Sequence, residues 1–197
     1  MTALEKSQVS RAELTRAVAA ARGGQVSASV VRQDGSPDQT AIAFNVFNNL
    51  LTNDGIRAAL YSVLRRSNYR FISIFRFRDG LATSAVHVDR EDLKIIQAGE
   101  VADTATYCSY VRAGDAPFVT SDASTDSRTS DHPARETVRS YCGIPIFEPD
   151  GEFIGTLCHY DLVPRDPEHL DLELLVQVSS AIARSGLVPP YPTLEST

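Results

Sequence analysis

Two of the three cysteines lie in one stretch, YCGIPIFEPDGEFIGTLCHYD at residues 141–161, which ends in the pair Cys158-His159. A thiol beside an imidazole can ligate a metal ion or carry a chromophore. In the middle of the stretch, Pro-Asp-Gly suits a three-residue turn between two antiparallel strands. Symmetric pairing about this turn places Cys142 opposite Cys158 on one face of the sheet. It places Tyr141 opposite His159 on the other face.

The thiols of Cys142 and Cys158 allow two interpretations. Directly opposed strand residues have Cβ atoms about 4.5–5.5 Å apart, so a disulfide is geometrically allowed if this register holds. A reducing cytoplasm opposes a permanent bond, and neither cysteine has a basic residue beside it at a helix N-terminus, where the thiol pKa would fall. We therefore interpret both as free core thiols, with a reversible redox pair as the alternative. The pair Cys158-His159 is interpreted as a buried strand thiol beside a partly exposed imidazole.

The four histidines and three cysteines show no metal-binding spacing such as C-x-x-C or H-x-x-x-H. We therefore predict no metal and no cofactor. His132, in a polar loop, and His87, on a predicted strand, could still meet in a pocket. A haem or iron site built on these two residues is the alternative to histidines that are solvated or hydrogen-bonded.

A long polar segment, SDASTDSRTSDHPARETVRS at residues 121–140, is typical of a functional loop, because structureless loops of this length are uncommon in compact domains. Its basic side chains are Arg128, His132, Arg135 and Arg139. Its acidic side chains include Asp122, Asp126 and Asp131. The basic groups could bind a carboxylate or phosphate of a ligand, or they could pair with the acidic groups of the loop itself. A salt-bridged surface loop is the simpler interpretation.

The elements that must position these residues follow from hydrophobic periodicity. Residues 41–53 are apolar and predict a helix, and a second helix with apolar residues at helical spacing follows Asp54. Residues 70–78 alternate with period 2 and carry apolar side chains on both faces, which predicts a central strand. Asp79-Gly80 is a tight-turn signal, so the next segment returns as the partner strand of a hairpin that ends at residue 88.

Further along the chain, Asp103 can cap a helix over residues 104–113. A short strand at 117–120 and the hairpin at 141–161 follow, and Asp166-Pro167 begins the last helix with proline at its first position. Hairpins give an antiparallel sheet, and helices at both ends of the chain can share one face of it. The predicted fold is therefore α+β, with the other face of the sheet left to the long polar loop.

The predicted domain boundaries follow from composition. Residues 1–40 are predicted to be an extension, in which Ser10 and Glu13 have the spacing of a capping box for a short helix. The extension is either a mobile tail or a helix that packs in a dimer. Residues 41–186 form the predicted domain, and residues 187–197 form a Pro-rich tail. We expect a stand-alone module without an attached kinase, cyclase or DNA-binding module.

Composition argues against several classes of function. The chain is 43% apolar and 22% charged, which is ordinary for a globular protein with a sizeable core. Its net charge of −6 and the lack of a basic patch argue against nucleic acids and anionic membranes as partners. The N-terminus has no apolar signal region, and no run approaches the roughly 18 apolar residues of a membrane span. We expect a cytoplasmic protein of a bacterial kind.

The segment YCGIPIFEPDGEFIGTLCHYDLVPR, followed by an apolar helix, resembles a motif of GAF domains, the small-molecule-binding modules of signalling proteins. The matching positions are Tyr141, Gly143, Pro145, Gly155, Thr156, Leu157, Cys158, Asp161, Pro164 and Arg165. Upstream, TYCSYVRAGDAPFVTSDASTDSRTSDHP is similar to the segment that covers the pocket in bacterial sensory members. The resemblance covers roughly residues 45–185, which is most of the chain.

The resemblance implies a twisted antiparallel sheet of five or six strands, with the first and last helices on one face, where they often form a dimer interface. It implies a ligand pocket between the sheet and residues 103–140. The pocket candidates are Phe75, His87, Cys108, Tyr110, Asp122, Arg128, His132, Tyr141 and His159. We expect a non-enzymatic sensory module that binds an unidentified small molecule, or responds to a redox or gas signal. It would signal through a homodimer or a signalling-protein partner.

Two alternatives remain within the family. Some members are free methionine-R-sulfoxide reductases, whose nucleophilic thiolate falls in the segment that matches SDHPARETVRS. This sequence has no cysteine there, and Cys108 is the only one in a comparable place. The other alternative is a degenerate scaffold whose pocket is filled by bulky residues such as Phe77 and Phe118. The pattern with which some members bind cyclic nucleotides is incomplete, because Ala123 stands where that pattern has Glu.

Overall fold

The computed structural model describes residues 37–191 of the chain. The capping box predicted at Ser10 and the short helix after it lie outside the described residues, as do residues 192–197 of the predicted tail. Within the described part of the chain, none of the helices is long and apolar enough to cross a membrane.

A six-stranded antiparallel sheet forms the centre of the fold, with the strand order β3-β2-β1-β6-β5-β4. The strands are β1 (Phe71–Arg78), β2 (Leu81–Asp89), β3 (Glu100–Ala102), β4 (Phe118–Thr120), β5 (Ser140–Phe147) and β6 (Phe153–Asp161). The α-helices in residues 37–191 are α1 (Gln39–Asn53), α2 (Ile56–Leu64), α3 (Cys108–Gly114) and α4 (Leu172–Ser185). This arrangement confirms the predicted α+β fold class.

Helices α1, α2 and α4 pack on one face of the sheet and bury the larger of two hydrophobic cores. Ile74 of β1 and Leu157 of β6 belong to the sheet's part of this core. Asp38 and Asp171 cap α1 and α4 by accepting hydrogen bonds from backbone N–H groups, as carboxylates do at helix N-termini. The Thr40 hydroxyl donates to the Asp171 carboxylate at 2.7 Å, which joins the beginnings of α1 and α4.

The hairpin predicted from the first aromatic run is confirmed. β1 pairs with β2 in antiparallel register, and the turn residues Asp79 and Gly80 have φ values of 53° and 79°. Positive φ at both positions belongs to the tight turn whose twist matches that of the flanking strands.

Three details differ from the sequence prediction. Asp54 ends α1, since its N–H bonds to the Leu50 carbonyl, and Gly55 rather than Asp54 precedes α2. Asp103 opens a 3-10 turn, and the α-helix begins only at Cys108. The sequence analysis missed β3 because its three residues are exposed and show no alternation of apolar and polar side chains.

The register predicted for the hairpin of β5 and β6 is wrong by one residue over most of its length. Next to the turn, Glu148 pairs with Glu152 as expected, through an N–H···O bond of 2.8 Å. The register then shifts beside Phe147, because β6 contains Ile154 as an extra residue. A β-bulge of this kind is set by packing on both faces of the sheet and leaves no mark on the turn sequence.

The shift changes which side chains meet. The observed pairs are Cys142 with His159, Gly143 with Cys158, and Tyr141 with Tyr160. Because a slip of one residue moves a side chain to the other face of its strand, Cys142 and Cys158 lie on opposite faces of the sheet. The alternative of a redox pair formed by Cys142 and Cys158 is therefore wrong, whereas the interpretation of both as free, buried thiols is confirmed.

The sheet face away from α1, α2 and α4 carries a second, smaller core, which is covered by α3 and residues 121–139. Tyr141 of β5 and Cys158 of β6 belong to this core, and Cys108 of α3 packs on them. Cys142, in contrast, lies in the larger core among the helices. The sheet thus separates one thiol from the other two.

Candidate functional site

A cavity of about 350 Å³ lies between the sheet and residues 121–139, and we call it the sheet cavity. Its base consists of Phe75, Tyr141, Cys158 and Tyr160. Residues 105–108 and 133–138 contribute its sides, and the exposed residues 98–101 border its opening. The volume falls within the range of about 300–1,000 Å³ that small-molecule pockets occupy.

Tyr141 reaches Cys108 because Gly143 leaves room for the tyrosine ring. Both residues point to the same face of β5, and a Cβ atom on Gly143 would lie 2.2 Å from the Tyr141 hydroxyl oxygen. The ring therefore lies along the strand, over the glycine. Its hydroxyl donates a hydrogen bond to the Cys108 sulfur at 3.2 Å. Gly143 of the hairpin motif therefore has a steric role, because it leaves the space in which the Tyr141 ring lies.

The surroundings of Cys108 favour its thiolate form. Burial alone would raise the pKa of this thiol. The side chains of four neighbouring residues outweigh burial and lower the pKa of Cys108 to about 7; these residues are Cys158, Thr156, Tyr141 and Thr106. Burial, together with the neighbouring Cys108 thiol, raises the pKa of Cys158 well above the ordinary thiol value. Cys108 is therefore the first of the two thiols to ionise.

We expect Tyr141→Phe to raise the pKa of Cys108, because the substitution removes one donor to the thiolate. A hydrogen bond to a charged group contributes about 1.5–3 kcal/mol, and about 1.4 kcal/mol corresponds to one pKa unit. The pKa should therefore rise by roughly one to two. The pH dependence of alkylation of Cys108 by iodoacetamide, followed by peptide mass spectrometry, measures this change.

Tyr110→Phe is the matched control for Tyr141→Phe. The Tyr110 hydroxyl donates to the Arg128 carbonyl at 3.0 Å rather than to the Cys108 sulfur. The control should therefore leave the alkylation profile of Cys108 where it is in the wild-type protein. An equal change in both variants, or no change in Tyr141→Phe, would contradict the role given to the Tyr141 hydroxyl.

Tyr110 and His132, two of the predicted pocket residues, support the sheet cavity from outside its lining. The His132 ring lies 4.3 Å from that of Tyr107 and 5.1 Å from that of Tyr110, centre to centre. Its Nδ1 accepts from the Ala134 N–H at 3.1 Å, so its Nε2 donates to the Thr106 carbonyl at 3.2 Å. Burial lowers the pKa of His132, and the bond to Thr106 opposes this change. His132 thus holds two sides of the cavity together.

Asp122 and Arg128, also predicted pocket residues, form ion pairs within their own loop. Arg139 contacts the Asp122 carboxylate at 2.9 Å. Arg128 pairs with Asp126 and lies 4.7 Å from the centre of the Phe118 ring. These contacts match the simpler interpretation of the loop as a salt-bridged surface segment, and neither predicted residue belongs to the lining of the sheet cavity.

His87 lies on the cavity side of the sheet, beside the cavity lining rather than in it. Its Nδ1 is 2.7 Å from the Ser73 hydroxyl, and its ring stacks on that of Phe71. Burial lowers the pKa of His87, and the nearby Asp89 carboxylate opposes this change. Within residues 37–191, no cluster of three or more potential metal ligands forms. Neither His87 nor His132 belongs to the lining of the sheet cavity, where the sequence suggested that they could meet.

His159 and Cys142 face each other across β5 and β6 on the helix side of the sheet, away from the sheet cavity. Burial raises the pKa of Cys142 to about 12 and lowers that of His159 to about 3. The imidazole is 1% exposed rather than partly exposed as predicted, and neither ring nitrogen has a hydrogen-bond partner among the described residues. The sequence neighbours Cys158 and His159 are thus on different sides of the sheet.

Three of the predicted pocket residues line the sheet cavity: Phe75, Cys108 and Tyr141. The sequence analysis missed most of the other lining residues, among them Tyr107, Val138 and Tyr160. Strand alternation places Tyr160 on the same face as Cys158, so a signal for Tyr160 was present in the sequence. Tyr107 and Val138 come from separate loops that only the tertiary structure brings to the sheet.

The family model described as GAF domain matches residues 53–185 of the chain. This range contains β1 to β6 and α2 to α4, and therefore every residue named above as lining the sheet cavity. The comparison with curated protein sequences gives no significant match.

Several solved structures share the fold. The GAF domain of Acinetobacter phosphoenolpyruvate-protein phosphotransferase has a TM-score of 0.55 and 12% identity, over 76% of this chain and 97% of its own. The free methionine-R-sulfoxide reductase of Neisseria meningitidis, solved with its substrate, has a TM-score of 0.53 and 14% identity, over 77% of this chain and 95% of its own. A far-red absorbing protein with bound biliverdin IXa has a TM-score of 0.53 and 18% identity, over 73% of this chain and 99% of its own. At these identities the likeness shows the fold alone.

Proposed function

The chain belongs to the GAF domain family, and from its sheet cavity we infer that it is a sensory module that binds a small molecule. The observation that carries this proposal is the cavity itself, since about 350 Å³ remain open between the sheet and residues 121–139. Bulky side chains that could have filled this space, among them Phe75 and Tyr141, line it instead. This disfavours the alternative of a degenerate scaffold with a filled pocket.

The lining of the sheet cavity favours a neutral, largely apolar ligand. Among the residues that the structure describes, the lining contains no Asp, Glu, Lys, Arg or His, so a charged ligand would lose hydration without gaining an ion pair. The rings of Tyr107, Tyr141 and Tyr160 offer aromatic surface to a planar molecule. Thr106 and Thr137 add hydroxyl groups at the sides. We expect a compact aromatic or aliphatic molecule with few hydrogen-bonding groups.

A ligand in the sheet cavity can act on the helices through β5 and β6. These strands carry cavity residues on one face and core residues on the other, and the Ser179 hydroxyl of α4 donates to the Pro145 carbonyl of β5 at 2.8 Å. Helix α4 is joined to α1 through Asp171 and Thr40. A ligand that binds one arrangement of these elements better than another shifts the population toward it. We propose that a homodimer, or a signalling-protein partner, detects this shift at α1 and α4.

A variant that fills the cavity tests this function. Ala105 lines the sheet cavity and is half-buried, so Ala105→Phe places a ring inside it. We expect the neutral fluorescent probe N-phenyl-1-naphthylamine to bind the wild-type protein. The variant should lose about tenfold or more in affinity, equivalent to about 1.4 kcal/mol, because the added ring occupies the space of the probe. A fluorescence titration measures both affinities.

Ala113→Phe is the control for this variant, because Ala113 lies on α3 and is exposed. The control should bind the probe as the wild-type protein does. Equal binding by all three proteins, or no binding by the wild-type protein, would contradict the proposed function. A native mass spectrum of the protein purified without reductant tests for a retained molecule, and a monomeric mass there would contradict the homodimer.

A thiol-dependent reductase of free methionine sulfoxide is a second candidate, and one observation favours it. Cys108 has a lowered pKa and meets Cys158 in the sheet cavity, which supplies a nucleophile and a second thiol. Two features oppose it: residues 121–140 contain no cysteine, and the described lining holds no ion-pair partner for a zwitterionic amino acid. Turnover of methionine-R-sulfoxide with a thiol donor, lost in Cys108→Ser, is the result that this candidate requires.

A further inference from the structure

Two of the three thiols meet at the base of the sheet cavity. Cys108, the first residue of α3, and Cys158, on β6, both line the cavity and are each 1% exposed. Both thiols belong to the smaller core on this face of the sheet, each perturbs the pKa of the other, and the Tyr141 hydroxyl donates to the Cys108 sulfur at 3.2 Å. The third thiol, Cys142, is separated from them by the sheet.

We propose that Cys108 and Cys158 form a redox couple that a small organic hydroperoxide oxidises to a disulfide inside the sheet cavity. The two thiols, a hydroxyl that stabilises the thiolate and a cavity that can admit the oxidant occur together at this place. The inference goes beyond the proposed function, because it requires that an oxidant reach the cavity but requires no bound regulatory ligand. It also assigns the redox role to a different pair from the one that the hairpin sequence suggested.

Cys108 is the attacking thiol of the couple. Its sulfur accepts a hydrogen bond from the Tyr141 hydroxyl, which stabilises the thiolate, and the thiolate is the nucleophilic form of cysteine. The Cys158 thiol instead lies 3.7 Å from the Ser73 carbonyl oxygen, to which it can donate its hydrogen. Burial raises the pKa of Cys158, so this residue stays protonated and is the resolving thiol.

The reaction balances in two steps. The Cys108 thiolate attacks one oxygen of the hydroperoxide, the O–O bond breaks, and the departing alkoxide takes up a proton to become an alcohol, which leaves a sulfenic acid on Cys108. The Cys158 sulfur then attacks the Cys108 sulfur, the S–O bond breaks, and the departing hydroxide leaves with the Cys158 proton as water. The two thiols supply both electrons and become a disulfide, which a small-molecule dithiol reduces again by exchange.

The lining of the sheet cavity determines the class of oxidant. Apart from the Cys108 thiolate, the described lining residues carry no charged side chain, so a neutral hydroperoxide with a small apolar group fits better than an anionic one. Oxidation also alters the site of the proposed ligand. The disulfide ties the beginning of α3 to β6 and consumes the sulfur that the Tyr141 hydroxyl contacts.

The test uses the full chain, reduced and then freed of reductant, with one equivalent of tert-butyl hydroperoxide. We expect the intact mass to fall by two hydrogen atoms and a digest to contain a peptide pair that links Cys108 to Cys158. Trypsin alone leaves Cys142 and Cys158 in one peptide, whereas cleavage after Glu152 separates them. Three unchanged thiols in the folded protein, or a link to Cys142, would overturn the proposal.

Variants separate the roles of the two thiols. Cys158→Ser should complete the first step only and accumulate a sulfenic acid on Cys108, which dimedone traps. Cys108→Ser should consume the hydroperoxide at about one tenth of the wild-type rate or at a still lower rate, because the variant lacks the thiolate that attacks. Cys142→Ala is the matched control and should react as the wild-type protein does, since this thiol lies on the helix side of the sheet. Equal rates in Cys108→Ser and Cys142→Ala would overturn the assignment of the attacking thiol.

The redox couple and the ligand proposal fail independently. Oxidation is measured without ligand, and probe binding is measured on the reduced protein. A protein that binds the probe but keeps its thiols overturns the redox couple alone. A protein that forms the disulfide but binds no probe overturns the ligand proposal alone. The disulfide map of the wild-type protein needs no variant, so it decides the question even if a cysteine variant fails to fold.

Discussion

Gly155→Ala is expected to lower the free energy of unfolding by about 3 kcal/mol, at the upper end of the usual cost of overpacking a core. A Cβ atom at this position would lie 2.3 Å from the Phe75 carbonyl oxygen. That oxygen belongs to the backbone of β1, which pairs with β2 on one side and β6 on the other. It therefore cannot move aside as the end of a flexible side chain could. Urea denaturation of the variant and the wild-type protein measures the difference.

Gly114→Ala is the matched control for this substitution. Gly114 is the last residue of α3, and no atom lies within 4 Å of the Cβ that alanine would add. We expect a change of less than about 1 kcal/mol, in the stabilising direction, because alanine restricts the unfolded chain more than glycine does. Equal stabilities of the two variants would contradict the close approach of β1 and β6. A shift of β1 in Gly155→Ala would also move Phe75 in the sheet cavity.

His159→Leu is expected to remove much of the protein's loss of stability in mild acid. Burial holds the pKa of His159 at about 3 in the folded protein, whereas an exposed histidine of the unfolded chain has a pKa of about 6.5. Below about pH 6.5 the unfolded chain therefore binds a proton that the folded chain does not. The contribution of the neutral imidazole to stability is complete above this pH. It declines by about 1.4 kcal/mol per pH unit as the pH falls toward 4.

Leucine does not titrate, so the variant should lack this slope, which amounts to about 2–3 kcal/mol between pH 6.5 and pH 4.5. Near pH 7 the variant should be at least as stable as the wild-type protein. Neither ring nitrogen of His159 has a hydrogen-bond partner within residues 37–191, and buried polar atoms without partners are destabilising. Urea denaturation at a series of pH values across this range measures both effects.

The comparison isolates residue 159 because the other histidines are unchanged. Burial also lowers the pKa values of His87 and His132, and both contribute equally to the wild-type and variant curves. His169→Gln, a substitution at an exposed histidine, serves as a control and should keep the wild-type slope. Parallel curves for the wild-type protein and His159→Leu would contradict the buried, uncharged imidazole.

The elements with local signals could be predicted from the sequence. The alternation in residues 70–78 and the turn at Asp79-Gly80 were enough for the first hairpin, because periodicity and turn chemistry act within a few residues. The motif glycines Gly143 and Gly155 pointed to the family, and both have steric roles in the structure. Candidate pocket residues could be named from the resemblance, yet several of them proved to be loop supports or core residues.

The register of the second hairpin could not be predicted, since it depends on more than its turn. The turn pairs Glu148 with Glu152 as its sequence indicates. The bulge at Ile154 follows from packing, because Gly155 must come against the Phe75 carbonyl while Cys142 enters the helix core. Beyond a bulge, each residue pairs with a partner that is shifted by one position, so different side chains share a face of the sheet. The symmetric pairing drawn from the turn therefore paired the wrong thiols.

The sequence by itself determined the fold class, the first hairpin and the family. Only the tertiary structure decided which thiols meet, because Cys108 and Cys158 come together where α3 packs over β6 on the cavity side of the sheet. The two residues are far apart in the chain, and no local pattern links them. Periodicity and turns are short-range properties of the backbone, whereas the contacts that set the chemistry of a site form between elements after they pack.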